Sequence, residues 1–129
     1  MSARILVVED NTLNRQLVRD VLEYRGHEVL EAASVQEGRT RLRDGAPDLV
    51  LMDLQIPGGG GELLLKEIRM DPALSSLFVV ALTAFAMEGD RERILERGFD
   101  AYVSKPIDVR TFGAQIESYL NRKGVQDVR

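Results

Sequence analysis

Short apolar runs recur along the chain and constrain its fold more than any other feature. Three of them contain apolar residues only: Ile5 to Val8, Leu49 to Met52 and Phe78 to Leu82. Runs of this length that do not alternate with polar residues are typical of strands buried on both faces of a parallel sheet. Two weaker runs, HEVLEA from His27 and AYVS from Ala101, are expected to form edge or outer strands.

Helical patterns separate these runs. The first predicted helix has an apolar face made of Leu13, Leu17, Val18, Val21 and Leu22, and the last one has a face made of Val109, Phe112, Ile116 and Tyr119. The expected helix caps are Asn11 or Thr12 for the first helix, Ser34 for the second and Asp108 for the last. Gly26 and Gly98 stand where helices are expected to end.

Strand and helix therefore alternate through the sequence, which predicts right-handed crossovers and helices on both faces of the sheet. The expected fold is a doubly wound α/β domain with five parallel strands and five helices. A length of 129 residues is that of one domain. We expect this domain to occupy residues 1–122, with residues 123–129 as a short C-terminal tail and no output domain.

Composition excludes several classes of function. Seventeen basic and 21 acidic residues give a net charge of -4, so direct binding of nucleic acid is not expected. The chain has no cysteine and a single histidine, His27, which excludes thiolate and histidine-rich metal sites. No apolar run is long enough for a signal peptide or a membrane span, so we expect a cytoplasmic protein without membrane insertion.

Polar residues stand where the predicted strands end. Glu9 and Asp10 follow the first strand, Asp53 the third, Thr83 the fourth and Lys105 the fifth. Ligands of open parallel sheets bind outside the carboxyl ends of the strands, where the strand order reverses. If the strand order places these four strands side by side, the five side chains meet in one pocket.

The chemistry of such a pocket follows from its ligand atoms. Clustered carboxylates need a cation, and oxygen ligands favour a hard ion such as Mg²⁺. The adjacent pair Glu9 and Asp10 lies where the chain leaves the strand, so both carboxylates are expected to reach the metal. Asp53, on a different strand, is then a candidate nucleophile toward phosphorus. Lys105 and Thr83 are candidates for neutralising the phosphoryl oxygens.

Four motifs, in this order and spacing, resemble those of bacterial response regulator receiver domains of the single-domain, CheY-like type. They are ILVVEDN, DLVLMDLQIPGGGG, VVALTAFA and AYVSKPI, and together they span nearly the whole chain. The resemblance implies the strand order 2-1-3-4-5 of flavodoxin-like folds. It also implies phosphorylation of Asp53 by a histidine kinase or a histidine phosphotransfer protein.

The resemblance assigns further roles. Mg²⁺ is expected to be held by Glu9, Asp10, Asp53 and the backbone carbonyl of Gln55. Thr83 corresponds to the switch hydroxyl and Lys105 to the phosphoryl-binding cation. Tyr102 corresponds to the switch aromatic that turns inward, and Pro106 to a proline preceded by a cis peptide bond. Gln55 and Phe85 flank the site and are expected to tune the access of water.

The sequence departs from the family pattern after Pro57, where four glycines follow. Gly61 matches the family glycine, which leaves Gly58 to Gly60 as the unusual part. Glycines add conformational entropy to the unfolded chain, so we expect the loop beside Asp53 to be mobile.

Phosphorylation is expected to change the surface around the fourth helix, the fifth strand and the fifth helix, where a downstream protein would bind. The charged segment EGDRERILER from Glu88 borders that surface and is expected to be either a partner surface or a solvated helix face. The chain is expected to be a monomer or a phosphorylation-dependent dimer. His27 is expected to be structural or solvent-facing and is not a phosphodonor.

Two alternatives stay open. A phosphorylation-independent interaction module would keep the fold without using the site. A phosphatase or phosphotransferase with an aspartyl nucleophile would need a second acid, typically two positions after the nucleophile, but that position is Gln55. We therefore expect a phosphoacceptor switch that assists its own phosphorylation and dephosphorylation, not an enzyme acting on other substrates.

Overall fold

The computed structural model describes residues 2–56, 60–84 and 89–128, with side chains as far as residue 121. Within these ranges strands and helices alternate from the first element to the last. They are β1 (Arg4–Val8), α1 (Thr12–Tyr24), β2 (Glu28–Ala32), α2 (Val35–Gly45), β3 (Leu49–Asp53), α3 (Gly60–Met70), β4 (Phe78–Thr83), α4 (Asp90–Glu96), β5 (Ala101–Ser104) and α5 (Phe112–Val128).

The strands form one parallel sheet in the order β2-β1-β3-β4-β5. This order and the doubly wound α/β fold confirm the prediction. The three wholly apolar runs lie in β1, β3 and β4, which are the central strands, and every residue of β3 and β4 is buried. The two weaker runs form the edge strands β2 and β5, where several residues are partly exposed.

Side chains of the central strands alternate between two core layers, as the pleat of a strand requires. Leu6 and Val8 of β1 pack with the buried residues of α2, α3 and α4, whereas Ile5 and Val7 pack with those of α1 and α5. The sheet is therefore covered on both faces, and its carboxyl edge is left for the site.

The helix ends follow the predicted signals. Asn11 Oδ1 accepts a hydrogen bond from the Asn14 backbone amide at 2.9 Å, which decides between Asn11 and Thr12 as the cap of α1. Ser34 Oγ accepts one from the Glu37 amide at 3.1 Å and caps α2. Gly26 and Gly98, just beyond α1 and α4, have φ values of 94° and 111°, in the left-handed region that glycine tolerates.

Two predicted apolar helix faces include residues that are exposed in the structure. Val18 and Leu22 of α1 are buried, but Leu13 is 76% exposed and Leu17 is at the surface. Val109 is 52% exposed because α5 begins only at Phe112, after a turn in which Asp108 accepts hydrogen bonds from the Arg110, Thr111 and Phe112 amides. Including Val109 in the apolar face of the last helix was therefore wrong.

The backbone of α5 is helical as far as Val128, so most of the predicted C-terminal tail, residues 123–128, continues this helix. The domain boundary at residue 122 stays a prediction. No helix within the described ranges combines the length and the apolar character that a membrane crossing requires.

Candidate functional site

Register places the predicted site residues at one edge of the sheet. Val8 of β1 pairs with Met52 of β3, so the next residues along the two strands, Glu9 and Asp53, are neighbours. On the other side of β3, Asp53 pairs with Leu82 of β4, and Thr83 pairs with Ser104 of β5. The chain thus presents Glu9, Asp53, Thr83 and Lys105 side by side at the carboxyl edge.

Burial distinguishes the members of this group. Glu9, Asp53 and Thr83 are buried, although each carries a polar side chain. Asp10 is exposed at the rim, and the Lys105 side chain is 17% exposed. Buried charges are costly unless they are paired. The contacts between these groups therefore decide whether the buried carboxylates can stay charged.

Lys105 provides the pairing. Its ammonium nitrogen lies 2.8 Å from Glu9 Oε1 and 3.0 Å from Asp53 Oδ2. The Lys105 backbone amide donates a hydrogen bond to the Thr83 carbonyl oxygen at 2.8 Å, which fixes the start of this side chain beside β4. One ammonium group therefore serves two buried carboxylates.

Backbone amides satisfy the other carboxylate oxygens. The Asn11 amide donates to Glu9 Oε2 at 3.2 Å, and the Gln55 amide donates to Asp53 Oδ1 at 3.0 Å. Glu9 Oε1 is also buried, and in the described part of the chain it faces the Lys105 ammonium at 2.8 Å.

These surroundings shift the pKa values of the Glu9 and Asp53 carboxyl groups in opposite directions. Burial, followed by the hydrogen bond shared with Asp53, raises the pKa of Glu9 to about 7. Burial would raise the pKa of Asp53 as well, but the contacts with Glu9, the Gln55 amide and Lys105 outweigh it and lower that pKa. Burial acts against the charge of Lys105, yet its two carboxylate partners raise its pKa. Asp53 is thus held ionised beside a cationic lysine.

The donor set fits a hard divalent cation. Carboxylate oxygens of Glu9, Asp10 and Asp53 all lie within 4.8 Å of one another. Glu9 Oε1 is buried and faces the Lys105 ammonium, so a cation is the partner that suits this oxygen. Oxygen ligands at this spacing suit Mg²⁺, which usually binds proteins through one or two carboxylates and keeps several waters.

The remaining predicted residues lie around this centre. The Lys105–Pro106 peptide bond is cis, as the resemblance implies. Tyr102 of β5 is half-buried, and the Arg91 guanidinium carbon lies 5.9 Å from the centre of its ring. Gln55 is exposed next to Asp53. Phe85 and the predicted mobile residues Gly58 and Gly59 lie outside the described residues, while Gly60 and Gly61 open α3.

Two arginines beside the site were not predicted from the sequence. Arg15 of α1 donates to the backbone carbonyl oxygen of Glu9 at 2.8 Å, and Arg91 of α4 lies over Tyr102. Long side chains near the start of a helix lean toward its N-terminus, and that rule could have indicated Arg15. Nothing comparable in the sequence indicates that Arg91, among the charges of its segment, faces the aromatic ring.

Comparison with known proteins adds independent findings. The family model of the response regulator receiver domain matches residues 5–117. The polar-differentiation response regulator DivK of Brucella ovis is 44% identical over 120 residues, which cover 93% of this chain and 98% of that protein.

Solved structures give the same result. A response regulator from Chloroflexus aurantiacus superposes with a TM-score of 0.86 at 26% identity and covers 94% of this chain and 99% of its own. The receiver domain of a sensor histidine kinase from Pseudomonas aeruginosa, described with a magnesium ion coordinated in its active-site cleft, has a TM-score of 0.80 at 30% identity and covers 95% and 97%. This chain belongs to the response regulator receiver domain family.

Proposed function

We propose that Asp53 is the phosphoacceptor through which this receiver domain acts as a signalling switch. The function itself, a phosphorylation-dependent switch of a two-component system, follows from membership of the family. The observation that supports Asp53 is its position: it is buried, its pKa is lowered, and it lies 3.0 Å from the Lys105 ammonium within the carboxylate cluster.

The phosphoryl group comes from the phosphohistidine of a histidine kinase or a histidine phosphotransfer protein. An Asp53 carboxylate oxygen attacks phosphorus, the P–N bond to the imidazole breaks, and its electron pair stays on the imidazole nitrogen. The product is an acyl phosphate on Asp53. Lys105, already within 3.0 Å of the carboxylate, neutralises charge on the transferred group.

The residues that would hold Mg²⁺ are Glu9, Asp10, Asp53 and the backbone carbonyl of Gln55. When bound there, the ion offsets the negative charge that gathers on the phosphoryl oxygens. The buried Glu9 Oε1 and the spacing of the three carboxylates support this assignment.

The switch then involves Thr83 and Tyr102. Thr83 is buried at the end of β4 beside the site, and Tyr102 lies two residues before the end of β5. Movement of Thr83 toward the phosphoryl group lets Tyr102 turn inward and changes the surface formed by α4, β5 and α5, to which a downstream protein binds. Phosphorylation shifts the equilibrium between the inactive conformation and the one in which Tyr102 is turned inward. We propose that the protein is cytoplasmic and that it is either a monomer or dimerises when phosphorylated.

Loss of the phosphoryl group is hydrolysis of the acyl phosphate by water. Gln55, which is exposed two residues beyond Asp53, is proposed to limit the approach of that water. Phe85, expected to act with it, lies outside the described residues. The groups that stabilise charge on the phosphoryl group, Lys105 and the carboxylates that would hold Mg²⁺, are proposed to assist this dephosphorylation, and Gln55 and Phe85 to set how fast water arrives; the domain is not proposed to act on other substrates.

The test is the intact mass of the protein after incubation with acetyl phosphate, with and without Mg²⁺. The wild type should gain one phosphoryl group only when Mg²⁺ is present, and Asp53→Asn should gain none. Asp44→Asn, which changes an exposed carboxylate far from the site, is the matched control and should behave as wild type. An adduct that persists in Asp53→Asn would refute the assignment.

A further inference from the structure

The backbone carbonyl of Glu9 accepts a side-chain hydrogen bond from Arg15 Nη1 at 2.8 Å. We propose that Arg15 is a positioning residue for the carboxylate cluster: it fixes the Glu9–Asp10 peptide so that the exposed Asp10 carboxylate is held in the position from which it binds Mg²⁺. This inference rests on the proposed function, because it concerns the same metal site.

Arg15 is itself held in place. It lies in the first turn of α1 with a side chain only 17% exposed, and its Nε donates to Glu31 Oε1 of β2 at 3.2 Å. Arg19, one turn further along α1, donates from Nη1 to Glu31 Oε2 at 3.2 Å. Each oxygen of the Glu31 carboxylate therefore anchors one arginine, but only Arg15 also reaches Glu9.

The contact completes the fixation of Glu9. The Glu9 amide donates to the Ala32 carbonyl oxygen of β2 at 2.9 Å, and Glu9 Oε2 accepts from the Asn11 amide at 3.2 Å. Arg15 binds the Glu9 carbonyl, which shares its peptide plane with the Asp10 nitrogen. Without the Arg15 side chain that plane loses one of its restraints, and the position of Asp10 is less tightly fixed.

A positioning role and simple electrostatic repulsion predict opposite changes in Mg²⁺ affinity when Arg15 is removed. A guanidinium beside a cation site repels the cation, so removal of its charge alone would tighten Mg²⁺ binding. If Arg15 instead orients a ligand, its removal weakens binding, and residues that orient metal ligands typically affect affinity by about 10- to 100-fold. The direction of the change therefore separates the two roles.

A matched pair of variants tests the role of Arg15 without changing the net charge of the protein. Arg15→Lys and Arg19→Lys both keep a cation on α1, but one ammonium cannot reproduce the two directed donors of Arg15 toward Glu31 and Glu9. We expect Arg15→Lys to weaken Mg²⁺ binding by about tenfold and Arg19→Lys to leave it within about twofold. Arg15→Ala loses the same contacts and also the repelling charge, so it should weaken binding too, but by no more than Arg15→Lys does.

Affinity is measured on the unphosphorylated full chain by following backbone amide signals in NMR during titration with MgCl₂. The Asp10 amide signal in the metal-free protein should shift in Arg15→Lys and not in Arg19→Lys. Thermal unfolding in EDTA identifies a variant that has lost its fold. Equal or tighter Mg²⁺ binding in Arg15→Lys and Arg15→Ala would overturn the inference.

Asp10→Asn separates this inference from the proposed function. If wild type binds Mg²⁺ and Asp10→Asn does not, the metal site is established, and an unaffected Arg15→Lys refutes the role of Arg15 alone. If wild type binds no Mg²⁺, or Asp10→Asn binds it as well as wild type, the proposed site fails, and the role of Arg15 fails with it.

Discussion

Lys105 follows β5, yet its ammonium nitrogen lies 3.0 Å from Asp53 Oδ2 at the end of β3, so the lysine side chain spans the width of β4. The same nitrogen lies 2.8 Å from Glu9 Oε1. One cation from beyond one edge strand thus joins the ends of two central strands. Burial would raise the pKa of Asp53, and the contacts with Glu9 and the Gln55 amide, followed by that with Lys105, lower it.

Replacing Lys105 with methionine, which keeps the length of the side chain and removes its charge, should therefore raise the pKa of Asp53. Formation of the phosphoryl adduct should slow by about 100-fold, a typical cost for losing a group that stabilises transition-state charge. The Asp53 carboxyl carbon reports the pKa in an NMR titration, and intact mass reports the adduct. Lys66→Met, at an exposed position of α3, is the control. An unchanged Asp53 titration in Lys105→Met would contradict this account.

How far the sequence predicts the site follows from the geometry of the fold. Parallel strands end at one edge, so Asp53, Thr83 and Lys105 could be placed together from their positions after apolar runs. The alternation of strands and helices does not predict the strand order, because periodicity does not distinguish one order from another. That order is predicted from the family resemblance alone. Both expectations agree with the structure.

Contacts between distant side chains could not be predicted in this way. Glu117 and His27 are separated by 90 positions and meet because α5 lies beside α1, whose end His27 follows. Arg91 lies over the Tyr102 ring through a rotamer that no sequence pattern specifies. Periodicity also includes residues at the margin of a helix face, which is why it predicts Leu13 on the apolar face of the first helix although the side chain is exposed.

The contacts of Glu117 predict a dependence of stability on pH. Arg25 donates to both Glu117 oxygens, at 2.7 Å and 3.0 Å, and His27 Nε2 lies 2.9 Å from Oε2. Because His27 Nδ1 accepts from the Ala3 amide, the ring proton is assigned to Nε2, which donates to Glu117. The Arg25 contact, followed by the His27 contact, lowers the pKa of Glu117 from 4.5 to about 2.

A carboxyl group with a lowered pKa stabilises the fold above its unfolded pKa, and this stabilisation is lost as pH falls toward the folded value. Glu117→Gln should therefore lower the free energy of unfolding by about 1–2 kcal/mol at pH 7, after allowance for solvent screening. The difference from wild type should shrink between pH 4.5 and pH 2. Urea unfolding at several pH values measures it. Asp44→Asn, at an exposed ion pair, should change little, and a constant difference for Glu117→Gln would count against the linkage.

Gly61 is predicted to be irreplaceable for steric reasons. A Cβ at this position would lie 2.6 Å from the Asp53 carbonyl oxygen and 2.9 Å from Met52 Cγ. The first contact is with the backbone of the residue proposed to accept the phosphoryl group, and that backbone belongs to a central strand. Gly61→Ala should destabilise the protein by about 1–3 kcal/mol, as overpacking does, and weaken Mg²⁺ binding.

Gly38→Ala is the matched control for Gly61→Ala. Its Cβ would lie 2.7 Å from Leu64 Cδ2, the movable end of a side chain, and alanine is the better helix former by about 1 kcal/mol. Urea unfolding should therefore find Gly38→Ala within about 1 kcal/mol of wild type. If both variants are equally stable, the close approach of Gly61 to Asp53 does not constrain the loop.

The contact between Arg91 and Tyr102 predicts an effect on the proposed switch. The guanidinium carbon lies 5.9 Å from the ring centre, and an exposed cation–π contact of this kind contributes about 0.5–1 kcal/mol. If Tyr102 leaves Arg91 when it turns inward, this energy is lost in the active conformation. Arg91→Gln should then raise the inward population up to about fivefold in the unphosphorylated protein.

Ring signals of Tyr102, assigned by comparison with Tyr102→Phe, report this population in NMR spectra with and without a phosphoryl mimic. Arg93→Gln removes another arginine of α4, one that pairs with Asp90, and serves as the control. We expect the Tyr102 signals of unphosphorylated Arg91→Gln to move toward their position in the mimic-bound wild type, while those of Arg93→Gln stay near the unphosphorylated wild type. Equal shifts in both variants would attribute the effect to the charge of α4, and no shift in either would mean that Arg91 does not restrain Tyr102.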